Sequence, residues 1–314
     1  MVRIQAPRLQ DSRILVVGGA GFIGRHIVRA LCADGAEVTI LDMAPPPPEF
    51  DKLDRIVGSI VDTTLFASAV SGCDAVVFLA NSSLPGSANT NLTSEVESHV
   101  KTSVQCAEIC NAQGVKRFVF ASSGGTVYGY SSDLPLHEDM VTRPRNAYGV
   151  SKLAIEHYLR IIGMQRDLET VSLRVSNPYG EGQRALRNQG FIAAAMQHAV
   201  NGKVLPIWGD GHVERDFVHA SDVAQAFVAA CCVKNVPEIC NIGSGEAVSL
   251  LEILDQIEPL LGRRLEVEFE PGRTVDVTRN VLDISRARDQ LGWSPQISLA
   301  EGMQRTADWW NAQG

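Results

Sequence analysis

The sequence predicts an α/β fold, a doubly wound parallel sheet with helices on both faces, joined to a smaller α/β part. Three observations carry this. Short apolar runs alternate with helical patterns through the first half of the chain, the order that yields a parallel sheet. Those runs scarcely alternate polar with apolar residues, as strands covered on both faces do not. A glycine-rich turn, Gly18-Gly-Ala-Gly21-Phe-Ile-Gly24, joins the first apolar run to the first helical pattern.

Arg13–Val17 (RILVV) reads as the first strand. Phe22–Ala33 follows as a helix, with Ile23, Ile27, Val28 and Leu31 on one face. Strands are expected at 38–41, 75–79 (AVVFL), 118–121 and 171–175 (VSLRV). Helices are expected at 96–111 and 148–162. From about residue 176 the loops lengthen, with NPYGEGQ and WGDGHVERD, yet 222–231 is again helical and 238–242 again strand-like. The second part therefore interrupts the sheet domain rather than following it. The expected division is 1–176 with about 216–243 for the sheet domain, and 177–215 with about 244–314 for the smaller one. Pro45–Pro48 reads as a stiff exposed loop.

The chain has 314 residues, 45% of them hydrophobic, enough for a large core. A net charge of −8 argues against nucleic acid as a partner. No apolar run reaches the roughly 18 residues of a membrane span, and the first residues lack the apolar stretch of a secretory signal. Seven scattered cysteines, an odd number, argue against a disulfide framework and for a cytoplasmic setting. Cys106 with Cys110, and Cys231 with Cys232, lack further ligands at metal-site spacing and read as small buried hydrophobes. No metal is expected. Asn81-Ser-Ser and Asn91-Leu-Thr match a glycosylation pattern that carries no weight in the cytoplasm.

A glycine-rich turn between strand and helix lets backbone N–H groups and the helix N-terminus approach a pyrophosphate. Gly18, Gly21, Phe22, Ile23 and Gly24 form that turn, and Asp42 closes the second strand where an acid binds a ribose 2′-hydroxyl. A carboxylate there repels a 2′-phosphate, so NAD is the expected cofactor. Ser59 and Ile60 are placed beside the adenine.

Tyr148 and Lys152 lie one helical turn apart on one face. A phenol is a poor base at neutral pH, but an ammonium and an oxidised nicotinamide both favour the phenolate. The pair supplies a general base beside a hydride acceptor. Just upstream, SSGGTVYG at 122–129 crowds Ser122, Ser123 and Thr126 around two glycines at the end of a strand. One of these hydroxyls is expected to face a substrate.

These motifs, with LAN at 79–81, LRVSNPYGEGQ, WGDGHVERDFVHASDVA, NIGSGEAVSL, PGRTVDV and LGWSP, run in order along nearly the whole chain. Together they resemble the extended short-chain dehydrogenase/reductases that act on nucleotide sugars, most of all the UDP-sugar 4-epimerases. The resemblance implies a Rossmann-type sheet domain that holds NAD, with Leu79, Ala80 and Asn81 among its contacts. It implies a smaller domain that binds the nucleotide sugar through Asn177, Trp208, Arg215, Arg273 and Asp276. A homodimer through the helices at about 97–111 and 148–163 is likewise implied.

Three positions depart from the family pattern. Its usual catalytic Ser or Thr, four residues before Tyr128, is Gly124 here. A common Asn is His99, and the usual acid of the adenine loop is Ser59. Thr126 is taken as the hydroxyl donor, because related dehydratases and decarboxylases carry a catalytic acid at the matching position. Their acidic pair is replaced by Gly125-Thr126, which argues against dehydration and decarboxylation. Ser123 is the second candidate, and Ser122 is assigned to the nicotinamide side. The implied activity is 4-epimerisation. Net reduction of a 4-keto sugar, or cofactor binding without turnover, are the alternatives.

Overall fold

The computed structural model describes residues 9–81, 88–185, 190–272 and 277–313. The chain runs β1 (Arg13–Val17), α1 (Phe22–Ala33), β2 (Glu37–Asp42), β3 (Asp54–Val57), α2 (Thr63–Val70), β4 (Ala75–Phe78), α3 (Leu92–Glu95), α4 (Thr102–Ala112), β5 (Arg117–Ser123), α5 (Ala147–Gln165) and β6 (Glu169–Val175). It continues through β7 (Asn177–Tyr179), α6 (Phe191–Asn201), β8 (Leu205–Trp208), β9 (Glu214–Arg215), β10 (Phe217–His219), α7 (Ala220–Cys232) and β11 (Ile239–Ile242). The last elements are β12 (Val248–Ser249), α8 (Leu250–Leu261), β13 (Val267–Glu270), β14 (Arg279–Asn280) and α9 (Leu299–Asn311).

A seven-stranded sheet has the order β11-β6-β5-β4-β1-β2-β3, and every pairing in it is parallel. The strand order reverses between β1 and β4. Loops leaving the carboxyl ends of those two strands diverge there and open a crevice. The expected alternation of strands and helices is borne out, and so is the double burial. Along β1, Ile14 and Val16 belong to one apolar cluster, with Ile27 and Leu31 of α1 and Phe227 of α7. Leu15 and Val17 belong to the other, with Phe66 of α2, Cys106 and Cys110 of α4, and Leu159 of α5. Successive strand side chains point to opposite faces, so a strand covered on both sides is apolar at most positions, and its buried polar residues need partners. The smaller part has its own cluster, built from Ile192, Met196, Ile207, Ile253, Ile257, Met303 and Trp310.

The helix expected at 96–111 is differently built. It starts at Leu92, where the Asn91 side chain caps it by accepting from Ser94 N at 3.0 Å. It then passes through a π-helical turn, Val96–Lys101, before α4. Such a turn inserts one residue into the helix and shifts the apolar face at that point, which a search for a regular 3.6-residue period does not find. The sequence reading also lacks α2, a single short amphipathic segment capped by Asp62. All seven cysteines are free, and Cys106, Cys110 and Cys240 are buried. No described group of His, Cys, Asp and Glu could hold a metal ion. No described helix is long and apolar enough to cross a membrane.

One polar network sits in this apolar setting. Arg174 of β6 donates to Glu156 of α5, with Nη2 to Oε2 at 2.7 Å and Nε to Oε1 at 3.1 Å, both side chains almost wholly buried. Ser122 of β5 also donates to Glu156. Arg174 Nη1 donates to the Tyr128 hydroxyl at 2.9 Å, which donates to Asn241 Oδ1 of β11 at 2.7 Å. The Glu156 carboxylate and the Tyr128 oxygen hold the Arg174 guanidinium more firmly charged than usual, against the pull of burial. Removing one partner leaves an uncompensated buried charge, at a cost of about 3–5 kcal/mol. Arg174→Met is expected to lower the urea midpoint accordingly, and Arg174→Met with Glu156→Leu to recover much of that loss.

Candidate active site

The crevice at the strand-order reversal is lined by three loops. The first is the glycine turn after β1. A Cβ on Gly24 would lie 2.2 Å from Gly18 O and 2.7 Å from Gly19 Cα, so only glycine lets α1 pack this closely on the turn. The N-cap of α1, Gly21, makes no side-chain cap hydrogen bond, and no acid lies in the first turn. The first amides of α1, at Phe22 and Ile23, are therefore left for an anion, as a pyrophosphate needs. Asp42 at the end of β2 accepts from Ala20 N and Ala44 N, each at 3.0 Å, and so ties the turn to the strand end. Ser59 and Ile60 sit alongside, because Gly58 N donates to Asp42 O at 2.9 Å. The second loop follows β4. Leu79 and Ala80 pack on Gly18, and Leu79 N donates to Val17 O at 2.9 Å. These features fit a dinucleotide of the NAD type.

The third loop is Ser122–Thr126, facing α5. The Asn146 side chain caps α5 by accepting from Gly149 N at 2.8 Å, which starts the helix one residue before Tyr148. Lys152, one turn on, is buried. Its Nζ donates to Ala121 O at 2.8 Å and lies 4.6 Å from the Phe120 ring centre and 5.4 Å from that of Tyr148. Burial lowers the Lys152 ammonium to about 7, while Glu95 and Glu156 work the other way. Burial first, and then Glu95, push the Tyr148 phenol up, and hydrogen bonding from Asn81 pulls it back. Burial leads, so protein groups without the nicotinamide charge keep Tyr148 protonated.

Thr126 is held against Gly149, the residue after Tyr148. Its carbonyl packs against Gly149, and its amide donates to Ser123 O at 3.3 Å. The Thr126 hydroxyl is buried and has no hydrogen-bond partner, a state that costs free energy until a ligand group satisfies it. Ser123 lies at the same strand end. Ser122 is turned to the scaffold, its hydroxyl committed to Glu156. On the far side, Asn177 donates through Nδ2 to Asp216 O at 2.9 Å, and Arg215 donates to Val277 O at 2.7 Å. Trp208 ends β8 and is half-buried. Arg273 and Asp276 lie outside the described residues.

The sequence model of the NAD dependent epimerase/dehydratase family matches residues 14–243. The chain belongs to that family. It is 34% identical over 306 residues to the UDP-glucose 4-epimerase of Mycolicibacterium smegmatis, covering 94% of this chain and 97% of that one. It is 31% identical over 306 residues to a dTDP-4-dehydro-6-deoxyglucose reductase of Escherichia coli, covering 94% and 96%. The crystal structure of the Thermus thermophilus UDP-glucose 4-epimerase with NAD superposes with a TM-score of 0.88, at 30% identity over 96% of this chain and all of that one. NAD is the cofactor of this family.

Sequence reading missed four residues that shape the site of this epimerase-family chain. Glu95, Glu156 and Arg174 are charged yet buried, and Asp216 is fully buried. Asp216 accepts from Ser244 N at 2.7 Å, Ser176 Oγ at 3.1 Å and Leu282 N at 3.2 Å, tying β6, β9 and the segment after β14 together. Glu156 could have been noticed, since it continues the Tyr148–Lys152 spacing by one more turn.

The structure also accounts for Gly124. A Cβ there would lie 2.5 Å from Leu282 Cδ1 and 3.0 Å from Arg174 O. Leu282 occupies the place of a side chain, so glycine here records packing. Overpacked cores lose about 1–3 kcal/mol. Gly124→Ser is expected to lose stability of that order in chemical denaturation, and Leu282→Ala in the same chain to lose less than the two single changes summed.

Proposed function

We propose that the protein is an NAD-dependent UDP-sugar 4-epimerase. The observation that carries this is the unpartnered, buried hydroxyl of Thr126, a residue packed on the start of the helix that bears Tyr148 and Lys152, where an acid would serve dehydration. When bound, NAD supplies reversible hydride exchange with the sugar carbon C4. The chain's own residues supply the rest. Tyr148 takes the proton of the C4 hydroxyl and gives it back at the end of the turnover. Lys152 holds the cofactor ribose and sets the local charge. Thr126 donates to the sugar oxygen as negative charge builds on it. Asn177, Trp208, Arg215, Arg273 and Asp276 hold the nucleotide, where an Arg fork suits phosphate and a carboxylate suits ribose hydroxyls. UDP is the nucleotide named for the M. smegmatis relative.

The protein is placed in the cytoplasm, a setting that its seven free cysteines suit. It is read as a homodimer through α5 and the helix before it. Val150, Tyr158, Ile161 and Met164 of α5 are exposed, with Leu92 and Val96 nearby in sequence to α4. Their spacing follows one helical stripe, and an exposed stripe of that kind marks an interface. Ile161→Glu is expected to halve the mass seen by light scattering. An unchanged dimer would remove α5 from the interface.

The activity is tested by NMR, following the sugar signals of UDP-glucose, UDP-N-acetylglucosamine and UDP-glucuronic acid with no added cofactor. Appearance of a C4 epimer establishes the reaction and its substrate. Stoichiometric loss of NADH with a 4-keto sugar, and no epimer, would establish the reductase that the E. coli relative's name describes. Thr126→Val is expected to lower kcat by about 10²-fold or more, with NADH binding intact. Full activity in that variant would transfer the role to Ser123.

A further inference from the structure

A closed circuit of polar contacts lies where α1 and α7 meet the segment after β7. His26 of α1 and His219, the N-cap of α7, are both buried, at 8% and 1% exposure. Glu181 stands in the segment that begins with Asn177 of β7. His26 Nε2 lies 2.9 Å from the Glu181 carbonyl oxygen. Ser221 Oγ lies 3.3 Å from His26 Nδ1, and Ser221 N donates to His219 Nδ1 at 3.3 Å. His219 Nε2 lies 3.1 Å from Glu181 Oε2 on a bent approach, and neither atom has another partner among the described residues. Gly180, at φ +146°, lets the segment lie this close, since a Cβ there would stand 3.0 Å from His219 Nε2.

Each group in the circuit has one role. A carbonyl only accepts, so His26 carries its proton on Nε2 and leaves Nδ1 to accept from the Ser221 hydroxyl. Burial holds the His26 imidazole below its usual range, which keeps it in the neutral form that this arrangement uses. His219 accepts at Nδ1 from a main-chain N–H, so its proton sits on Nε2 and faces the Glu181 carboxylate. Hydrogen bonding from His219 holds that carboxyl down at about 2, against the pull of burial, so it is ionised at neutral pH. Glu181 is thus held twice, by its main chain and by its side chain. The segment around it closes on itself as well. Gln183 Nε2 donates to Pro178 O at 3.2 Å, and Gln183 N donates to Gly180 O at 3.3 Å. Fixing Glu181 therefore fixes residues 177–183.

The circuit touches both halves of the candidate site. His26 lies one turn after Phe22 of the cofactor turn, and the two rings meet edge to face with centres 5.6 Å apart. Asn177, at the head of the Glu181 segment, is on the nucleotide-sugar side. We infer that Glu181 is a positioning residue that sets the nucleotide-sugar side of the site against the cofactor helix α1. It acts through His26 and His219, and what it controls is the spacing between the two bound ligands. A misplacement of about 1 Å between reacting groups costs on the order of 10²-fold in rate. This rests on the reading of Asn177 as a nucleotide-sugar residue in a chain that transfers hydride.

The test compares Glu181→Gln, whose amide oxygen can still accept from His219, with Glu181→Ala, which has nothing to offer it. In Glu181→Ala kcat is expected to fall about tenfold, with the Kd for NADH and the Kd for UDP each within about twofold of wild type. Glu181→Gln is expected to keep kcat within about threefold. A kcat for Glu181→Ala within twofold of wild type, or an equal fall in the two variants, overturns the proposal. So does a fall in kcat together with loss of both affinities, which marks a general structural role. Amide hydrogen exchange supplies a reading that needs no turnover. NADH added to the cofactor-stripped protein is expected to slow exchange across residues 179–183 in wild type and in Glu181→Gln, and not in Glu181→Ala. An equal response in all three proteins overturns the proposal. A wild type that shows these exchange effects but epimerises no UDP-sugar keeps the role of Glu181 and removes the 4-epimerase reading, so the two failures are distinguishable.

Discussion

The Arg174–Glu156 ion pair is the constraint on which the site depends. It joins β6 to α5, the helix that carries Tyr148 and Lys152, with Nη2 to Oε2 at 2.7 Å. Ser122 brings in the end of β5, and Tyr128 with Asn241 brings in β11. A buried pair of this kind adds little net stability over an apolar core of the same shape, because both ions lose their water. Its value lies in geometry. A guanidinium with fixed donors admits one arrangement of its acceptors, and that arrangement sets α5 against the strand ends. Glu156 stands one turn beyond Lys152, so the anchor of the helix and the charge balance of the site are one residue.

Burial and the charges around it set the protonation of Tyr148. Lys152 alone would favour the phenolate, but Glu95 and Glu156 flank the ammonium and burial weakens it. Burial and Glu95 act on the phenol in the same unfavourable sense. Protein groups thus leave Tyr148 protonated. The missing positive charge is the one an oxidised nicotinamide brings. Bound in its oxidised form, NAD would supply that charge beside Tyr148 and would favour the phenolate that the proposed base role needs.

The fold was legible because strands buried on both faces are largely apolar, as β1 (RILVV) and β4 (AVVF) are. The cofactor turn and the Tyr148–Lys152 pair were legible because each is a local pattern with a fixed spacing. Glu95, Arg174 and Asp216 were not. A buried charge looks like a surface charge in one dimension, and its partner is far along the chain: Asp216 meets Ser176 and Leu282, and Arg174 meets Tyr128.

Gly124 shows how one residue can be misread when its neighbours are distant. Read along the chain, a glycine where relatives keep a hydroxyl suggests lost catalysis. In space, Leu282 fills the place of that side chain, and Asn280 Nδ2 donates to Gly124 O at 3.3 Å. Leu282 N in turn is held by Asp216 Oδ2 at 3.2 Å. The segment after β14 is thereby pressed onto the catalytic turn, and a side chain at position 124 would push it away. The turn keeps its contact with the smaller part by giving up a hydroxyl at 124. The hydroxyl at 126, two residues on, is buried and has no hydrogen-bond partner. Packing against Leu282 and the Arg174 carbonyl accounts for glycine at 124, so the glycine by itself does not argue for lost catalysis.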